Sequence, residues 1–262
     1  MPLTSDELSS LAQFLDAGRL DARAGAKLTD RHPELAIDDA YAVQERGMAL
    51  RFARGEVRVG YKMGLTSQAK REQMGLHSPV YGELTDRMEV RGGTYKLAGQ
   101  IHPKIEPEVA FLLRDELRGH VTRDDVLDAC SGVCAAMEIL DSRYVGFKYF
   151  SLPDVIADNS SSSQFVLGTD VVAPRALDLA ALEMVMSVDG QPVERALSSA
   201  ISGDPVVSVV QLCELLAARG LALPAGSVVL AGAATTAVQL AAGQRIELAV
   251  TGLGVVRVDV AS

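Results

Sequence analysis

Residues 105–113 read Ile105-Glu106-Pro107-Glu108-Val109-Ala110-Phe111-Leu112-Leu113. The run is short, apolar and bounded by polar residues, which is the pattern of a buried strand. On a strand, positions i and i+2 point to one face. Glu106 and Glu108 therefore converge beside an otherwise apolar segment. Buried like charges repel, so the pair needs a cation or a shared proton. Oxygen ligands suit a hard divalent ion such as Mg²⁺ or Mn²⁺. The alternative is a half-exposed strand with a solvated acidic face, since glutamate is usually exposed.

Outward from this strand, the pattern predicts a mostly β, mixed α+β body behind a helical N-terminal section. Ser5 is placed to cap a helix with Leu8, Leu11, Phe14 and Leu15 on one face. His32-Pro33 interrupts the pattern, and Asp38 or Asp39 starts a second helix ending near Gly55. The character changes at Val57, which sets the expected division into a helical section, 1–56, and a β-rich catalytic domain, 57–262. Strands are expected at 57–60, 88–90, 105–113, 133–140, 163–167, 227–230, 245–250 and 254–260. Helices are expected at 67–74, at 124–132 and from Asp204-Pro205 to the stop at Gly220.

Composition limits the functions available. The chain has 262 residues, a net charge of −9 and 48% hydrophobic residues. An ordinary soluble composition with no basic stretch argues against nucleic acid as a partner. The apolar stretch 228–242 is broken by Gly232, Thr235, Thr236 and Gln239, so it is not read as a membrane span. Residues 1–10 lack the pattern of a signal peptide, and the expected location is the cytoplasm. Cys130, Cys134 and Cys213 form no disulfide framework; the first two are expected as buried helical thiols. An acidic protein that handles an anion needs placed positive charge.

Further candidates follow from residue type and setting. Glu138 is the lone charge in Cys134-Ala135-Ala136-Met137-Glu138-Ile139-Leu140, so it is either paired with a base or bound to a metal. Lys62, between Gly60 and Gly64, is placed to meet a carboxylate or a developing enolate; a surface turn is the alternative. The run from Asp158 through Ser163 is dense in donors, and apolar segments flank it closely, unlike a free linker. Asp86 is a candidate general acid or base, or a turn residue; His77 and His102 are weaker candidates. Arg143 is close enough in sequence to pair with Asp141.

Five segments, in order, resemble one family. They are Gly60-Tyr61-Lys62-Met63-Gly64-Leu65-Thr66, Pro79-Val80-Tyr81-Gly82, His102-Pro103-Lys104-Ile105-Glu106-Pro107-Glu108, Glu138-Ile139-Leu140-Asp141-Ser142-Arg143-Tyr144 and Ala157-Asp158-Asn159-Ser160-Ser161-Ser162. Together they are similar to the hydratase/decarboxylase family of meta-cleavage aromatic catabolism, which has the fumarylacetoacetate hydrolase-like mixed β-sheet fold. The resemblance implies that Glu106, Glu108 and Glu138 hold one Mg²⁺ or Mn²⁺. It implies a substrate pocket lined by Lys62, Leu65, Thr66 and the loop carrying Asp158, Ser160 and Ser161. Asp86 or a water is the expected proton carrier, and Arg143 or Lys148 the expected receiver of a leaving carboxylate.

The activity implied is decarboxylation of 2-oxo-3-hexenedioate to 2-hydroxypenta-2,4-dienoate and CO₂. Met63, the stretch 67–75, and Ser142-Arg143-Tyr144 followed by Phe147-Lys148-Tyr149-Phe150 look more like the decarboxylase branch, and the chain has no Trp. The alternative is the sister hydratase, which adds water to the dienoate. A binding module without turnover is the reading from another class. No site role is assigned to the stretch 232–236. A homo-oligomer is expected, and so is association with a partner dienoate hydratase, because the enol product is unstable.

Overall fold

The computed structural model describes residues 3–67, 78–147 and 151–262. The expected helix at 67–74, His77 and Lys148 lie outside the described residues, apart from Ser67. Two helices open the chain, α1 (Ser5–Leu20) and α2 (Ile37–Ala53). The cap of α1 is Thr4 rather than Ser5. Its hydroxyl accepts from the Glu7 N–H while the Glu7 carboxylate accepts from the Thr4 N–H, a reciprocal arrangement that Ser5 cannot make from inside the first turn. Asp38 and Asp39 fall inside the first turn of α2, where the helix dipole favours acids.

Two mixed sheets follow. The larger runs β2 (Val80–Thr85), β1 (Arg58–Gly64), β9 (Val228–Leu230), β4 (Lys104–Leu113), β5 (Cys130–Leu140) and β6 (Ser162–Leu167), with β10 (Val238–Gln239) also paired to β4. The smaller runs β3 (Thr94–Lys96), β12 (Gly254–Ala261), β11 (Arg245–Val250), β7 (Glu183–Val188) and β8 (Gln191–Leu197). Pairing is parallel between β1 and β9 and between β12 and β3, and antiparallel elsewhere. Strands β11 and β12 pack on β5, and α1 and α2 share one continuous apolar core with the sheets. Gln44 of α2 donates to the carbonyls of Tyr81 and Ile156, and Tyr41 stacks on Tyr81 with ring centres 4.8 Å apart. These contacts fix the helical layer against the edge of the larger sheet.

The other helices are α3 (Arg123–Ala129), α4 (Leu152–Ala157) and α5 (Pro205–Ala217). The segment Ser198–Ala217 is long and apolar enough to cross a membrane by length and composition. It is a core element: Val206, Val209, Leu212 and Leu216 are completely buried.

Three expectations are corrected. Residues 88–90 form no strand; β2 ends at Thr85, and Asp86–Met88 is a single tight turn. Helix α3 stops at Ala129 because Cys130 already pairs with Leu113, so Cys130 and Cys134 are buried strand thiols rather than helical ones. Strands β2, β3, β7 and β8 fall outside the expected ranges; β8 is mostly exposed, with Val193 and Leu197 facing solvent, which hides strand alternation.

Pro107 sits within a central strand, where a missing N–H normally costs a ladder bond. Its carbonyl accepts from the Ala234 N–H, so its nitrogen faces the irregular segment between β9 and β10. No ladder bond is lost there.

Candidate active site

The β4–β5 register decides the geometry. Glu106 lies directly opposite Glu138, and Glu108 lies two residues along the same face. One carboxylate oxygen from each of the three lies within 4.8 Å of the others. Glu108 and Glu138 are fully buried. Like charges facing each other across a ladder destabilise it, so this strand pair needs positive charge.

Among the described residues, one cation pairs with the cluster. The Lys62 ammonium is 2.9 Å from Glu138 Oε2, and Lys62 is 2% exposed. Burial alone would lower the lysine's pKa; Glu138, Glu106 and Glu108 outweigh that, and the net displacement is upward. Glu108 moves well above the usual carboxylate range, first through burial and then through repulsion from Glu138 and Glu106; Lys62 and the Gly232 N–H oppose the rise. One lysine against three carboxylates leaves a deficit of positive charge. Oε1 of Glu108 and Oε1 of Glu138 are buried without a hydrogen-bond partner. Three converging carboxylates, two of them with a buried unsatisfied oxygen, fit a hard divalent ion.

Gly232 completes the cluster. Its N–H donates to Glu108 Oε2 at 2.5 Å, from a backbone φ of +114°. A Cβ there would lie 2.5 Å from both Oγ1 and Cγ2 of Thr66. Only glycine allows this φ and this approach together. Thr66 is thereby held beside the acids.

A cavity of about 620 Å³ opens from the cluster. Lys62, Glu106, Leu65, Thr66 and Ser160 line it, together with apolar residues of α4 and β5. The volume suits a small organic ligand.

This arrangement has close counterparts. Residues 73–261 match the model of the fumarylacetoacetate (FAA) hydrolase C-terminal family. The chain belongs to the fumarylacetoacetate hydrolase family. Among family members, a 4-oxalocrotonate decarboxylase of Pseudomonas sp. is 45% identical over 249 residues, covering 95% of this chain and 96% of the relative. A 2-hydroxyhexa-2,4-dienoate hydratase of Comamonas testosteroni is 42% identical over 237 residues, covering 89% of each. The solved 4-oxalocrotonate decarboxylase from Pseudomonas putida G7, complexed with magnesium and adipate, superposes with a TM-score of 0.95 at 38% identity, covering 99% of both chains.

Other residues singled out in the sequence are placed elsewhere in this family member. Asp86 does not reach the cavity. It follows the end of β2 opposite Val80, the cavity-lining end, and its Oδ1 accepts from the Val57 N–H at 2.8 Å. That bond is also the main reason its carboxyl is held below the usual range. Arg143 does not line the cavity either. It is buried and donates through Nε to Asp158 Oδ1, through Nη2 to the Asp158 carbonyl and through Nη1 to the Asp141 carbonyl at 2.8 Å. Asp141 does not pair with the guanidinium; its carboxylate accepts from the N–H groups of Ile101 and His102.

Asp158 and Ser161 are turned inward, the Ser161 hydroxyl donating to Asp158 Oδ2 at 2.9 Å. Ser160 alone of this trio faces the cavity. Asn159, Ser160 and Ser161 all have positive φ, 49°, 50° and 56°. Three such non-glycine residues in succession are strained. Asn159 holds them by exchanging two hydrogen bonds with the backbone of Glu83. His102 packs edge-on against Phe147 with ring centres 5.2 Å apart.

The sequence reading missed Lys104, Phe147, Thr235 and Thr236 as cavity residues, and Gly232 as a donor. For Lys104 the signal was present: it continues the i, i+2 alternation of Glu106 and Glu108 by one step.

Proposed function

We propose that this chain is a divalent-metal-dependent decarboxylase of 2-oxo-3-hexenedioate (4-oxalocrotonate), releasing CO₂ and 2-hydroxypenta-2,4-dienoate. The carrying observation is the buried triad Glu106, Glu108 and Glu138, paired with Lys62 at the end of a small-molecule cavity. The triad would hold one Mg²⁺, which when bound supplies Lewis-acid polarisation of an α-keto acid.

The chain's own residues account for the remaining steps. Lys62 stands where a 2-oxo oxygen gains charge, and its upward-shifted pKa keeps it a donor there. The C5–C6 bond breaks; its electron pair forms C4=C5, the C3=C4 pair moves to C2=C3, and the carbonyl pair moves to oxygen. That oxygen then takes a proton. Thr66 and Ser160 offer hydroxyls along the wall, and Leu65 limits the space beside them. Leu140, Leu152 and Val155 form an apolar stretch of the lining. An apolar wall favours passage from a charged carboxylate to neutral CO₂.

The decarboxylase relatives support this reading. The hydratase at 42% identity favours a second one, in which the same site adds water to a dienoate. A CO₂ assay with 2-oxo-3-hexenedioate separates them. Release of CO₂ that is lost in Glu106→Gln supports the proposal; hydration of 2-hydroxypenta-2,4-dienoate without CO₂ release from the dicarboxylate overturns it. The reading includes a homo-oligomer and a partner hydratase to take up the short-lived enol. Three free, buried cysteines suit the reducing cytoplasm.

A further inference from the structure

A dicarboxylate bound by its 2-oxo acid end at the triad carries its second carboxylate several ångströms away, in a cavity wall that must receive it. Neither of the two cations expected for that task is part of the described cavity lining. Arg143 is consumed by Asp158, and Lys148 lies outside them. The described cavity lining carries two cations, Lys62 and Lys104. Lys62 is paired with Glu138.

Lys104 is different. Its ammonium makes no hydrogen bond or ion pair with any described residue. Its ammonium rests over the Phe147 ring, 4.4 Å from the ring centre, and both side chains face the cavity. Phe147 has a positive φ of 50° and also packs against His102. An aromatic face orients an ammonium without neutralising it, because the ring carries no net charge. The β4 rise sets the spacing: Lys104 and Glu106 are two residues apart, about 7 Å along the strand. That is the order of length of a six-carbon diacid.

We propose that Lys104 is the specificity-determining residue that receives the substrate carboxylate remote from the triad, with Phe147 positioning its ammonium. This rests on the decarboxylase reading for the identity of the substrate. It makes Lys104 a binding group: its partner carboxylate loses its charge as CO₂ forms, so the contact weakens on the way to the transition state. Uncompensated ground-state contacts of this kind set KM and do not raise kcat.

The test uses the Mg²⁺-loaded full chain and two analogues that cannot undergo the vinylogous reaction, 2-oxoadipate and 2-oxohexanoate. Both present the same α-keto acid, and they differ in the remote carboxylate. Calorimetric titration is expected to show 2-oxoadipate binding weakened about tenfold by Lys104→Met and largely preserved by Lys104→Arg, the size of one charge-assisted hydrogen bond. Binding of 2-oxohexanoate is expected to be unchanged. Equal losses for both ligands, or no loss for 2-oxoadipate, overturn the assignment. With 2-oxo-3-hexenedioate, Lys104→Met is expected to raise KM about tenfold without lowering kcat; a lowered kcat at constant KM overturns it as well. Failure of the wild-type chain to release CO₂, with the 2-oxoadipate preference still dependent on Lys104, would sink the decarboxylase reading and leave Lys104 as a dicarboxylate selector.

Discussion

Glu108→Gln is expected to make the metal-free protein more stable at neutral pH while removing its response to Mg²⁺. Glu108 is fully buried and lies within 4.8 Å of two further carboxylates. At an effective dielectric near 20, like charges 4.8 Å apart repel by about 3.5 kcal/mol. Glu108 meets two such repulsions and one attraction from Lys62, so neutralising it relieves about 3.5 kcal/mol. Protonation sets an independent ceiling. The ordinary carboxyl pKa is 4.5, and Glu108 is driven well above it by burial, then by Glu138 and Glu106. At pH 7 the ionisation that a raised pKa opposes can cost on the order of 3 kcal/mol at most, about 1.4 kcal/mol for each pH unit above the ordinary value.

The two bounds agree, and relaxation of the cluster reduces both. At 2–4 °C per kcal/mol, melting in excess chelator should rise by about 5–10 °C at pH 7. The sign follows from linkage. A carboxyl with a raised folded pKa favours folding when protonated, so its contribution is intact below 4.5 and is lost as pH climbs toward the raised value. The advantage of the glutamine variant should therefore shrink to about 2 °C at pH 5. Mg²⁺ at about 1,000 times its Kd should reverse the order, since it stabilises the wild type by about 4.1 kcal/mol and the variant much less. Scanning calorimetry at pH 5, 6 and 7, with chelator and with Mg²⁺, reads all of this. A variant that melts below the wild type in chelator at pH 7, or one that keeps the full Mg²⁺ shift, would refute the picture of a repulsive triad built for a cation.

Arg143→Met should cost about 3–5 kcal/mol, because it strands the buried Asp158 carboxylate; denaturant unfolding measures it, and a loss under 1 kcal/mol would return Arg143 to the list of substrate ligands. Asp86→Ala should leave kcat and KM unchanged and lower the melting temperature slightly, through loss of the Val57 N–H acceptor; a large fall in kcat would restore a catalytic part for Asp86. Gly232→Ala should weaken Mg²⁺ binding measured by calorimetry and cost about 1–3 kcal/mol of stability, since both its φ of +114° and the Thr66 contact resist a side chain.

Much of the site was legible because it follows local rules. Alternation along one strand put Glu106 and Glu108 on a face, and the apolar surroundings of Glu138 marked it as a charge needing a partner. What could not be read was the register that sets Glu138 opposite Glu106, since pairing across β4 and β5 is a non-local choice. Charge type was legible and charge partner was not. Arg143 looks in sequence like a partner for Asp141 or a receiver of substrate carboxylate, whereas the fold turns it inward to hold the polar loop. Asp86 looked equally catalytic, and its role depended on which end of β2 faces the cavity. The α+β character was readable from the apolar core strands, while exposed β8 gave no such signal.

The departures from local rules gather around the cavity. A proline sits in a central strand, three residues in a row hold left-handed conformations, a glycine adopts +114°, and three acids share one sheet face. Each costs folding free energy that neighbouring packing must offset. Each also serves one geometry. Pro107 faces the gap between β9 and β10 through which Gly232 reaches Glu108. The left-handed turn, pinned by Asn159 and by the Arg143–Asp158 pair, presents Ser160 to the cavity. Strain placed without a function would be spread through the molecule or removed by substitution. Its concentration here, on residues from four separate segments, argues that the fold is built around the triad rather than the triad being added to a fold that stands without it.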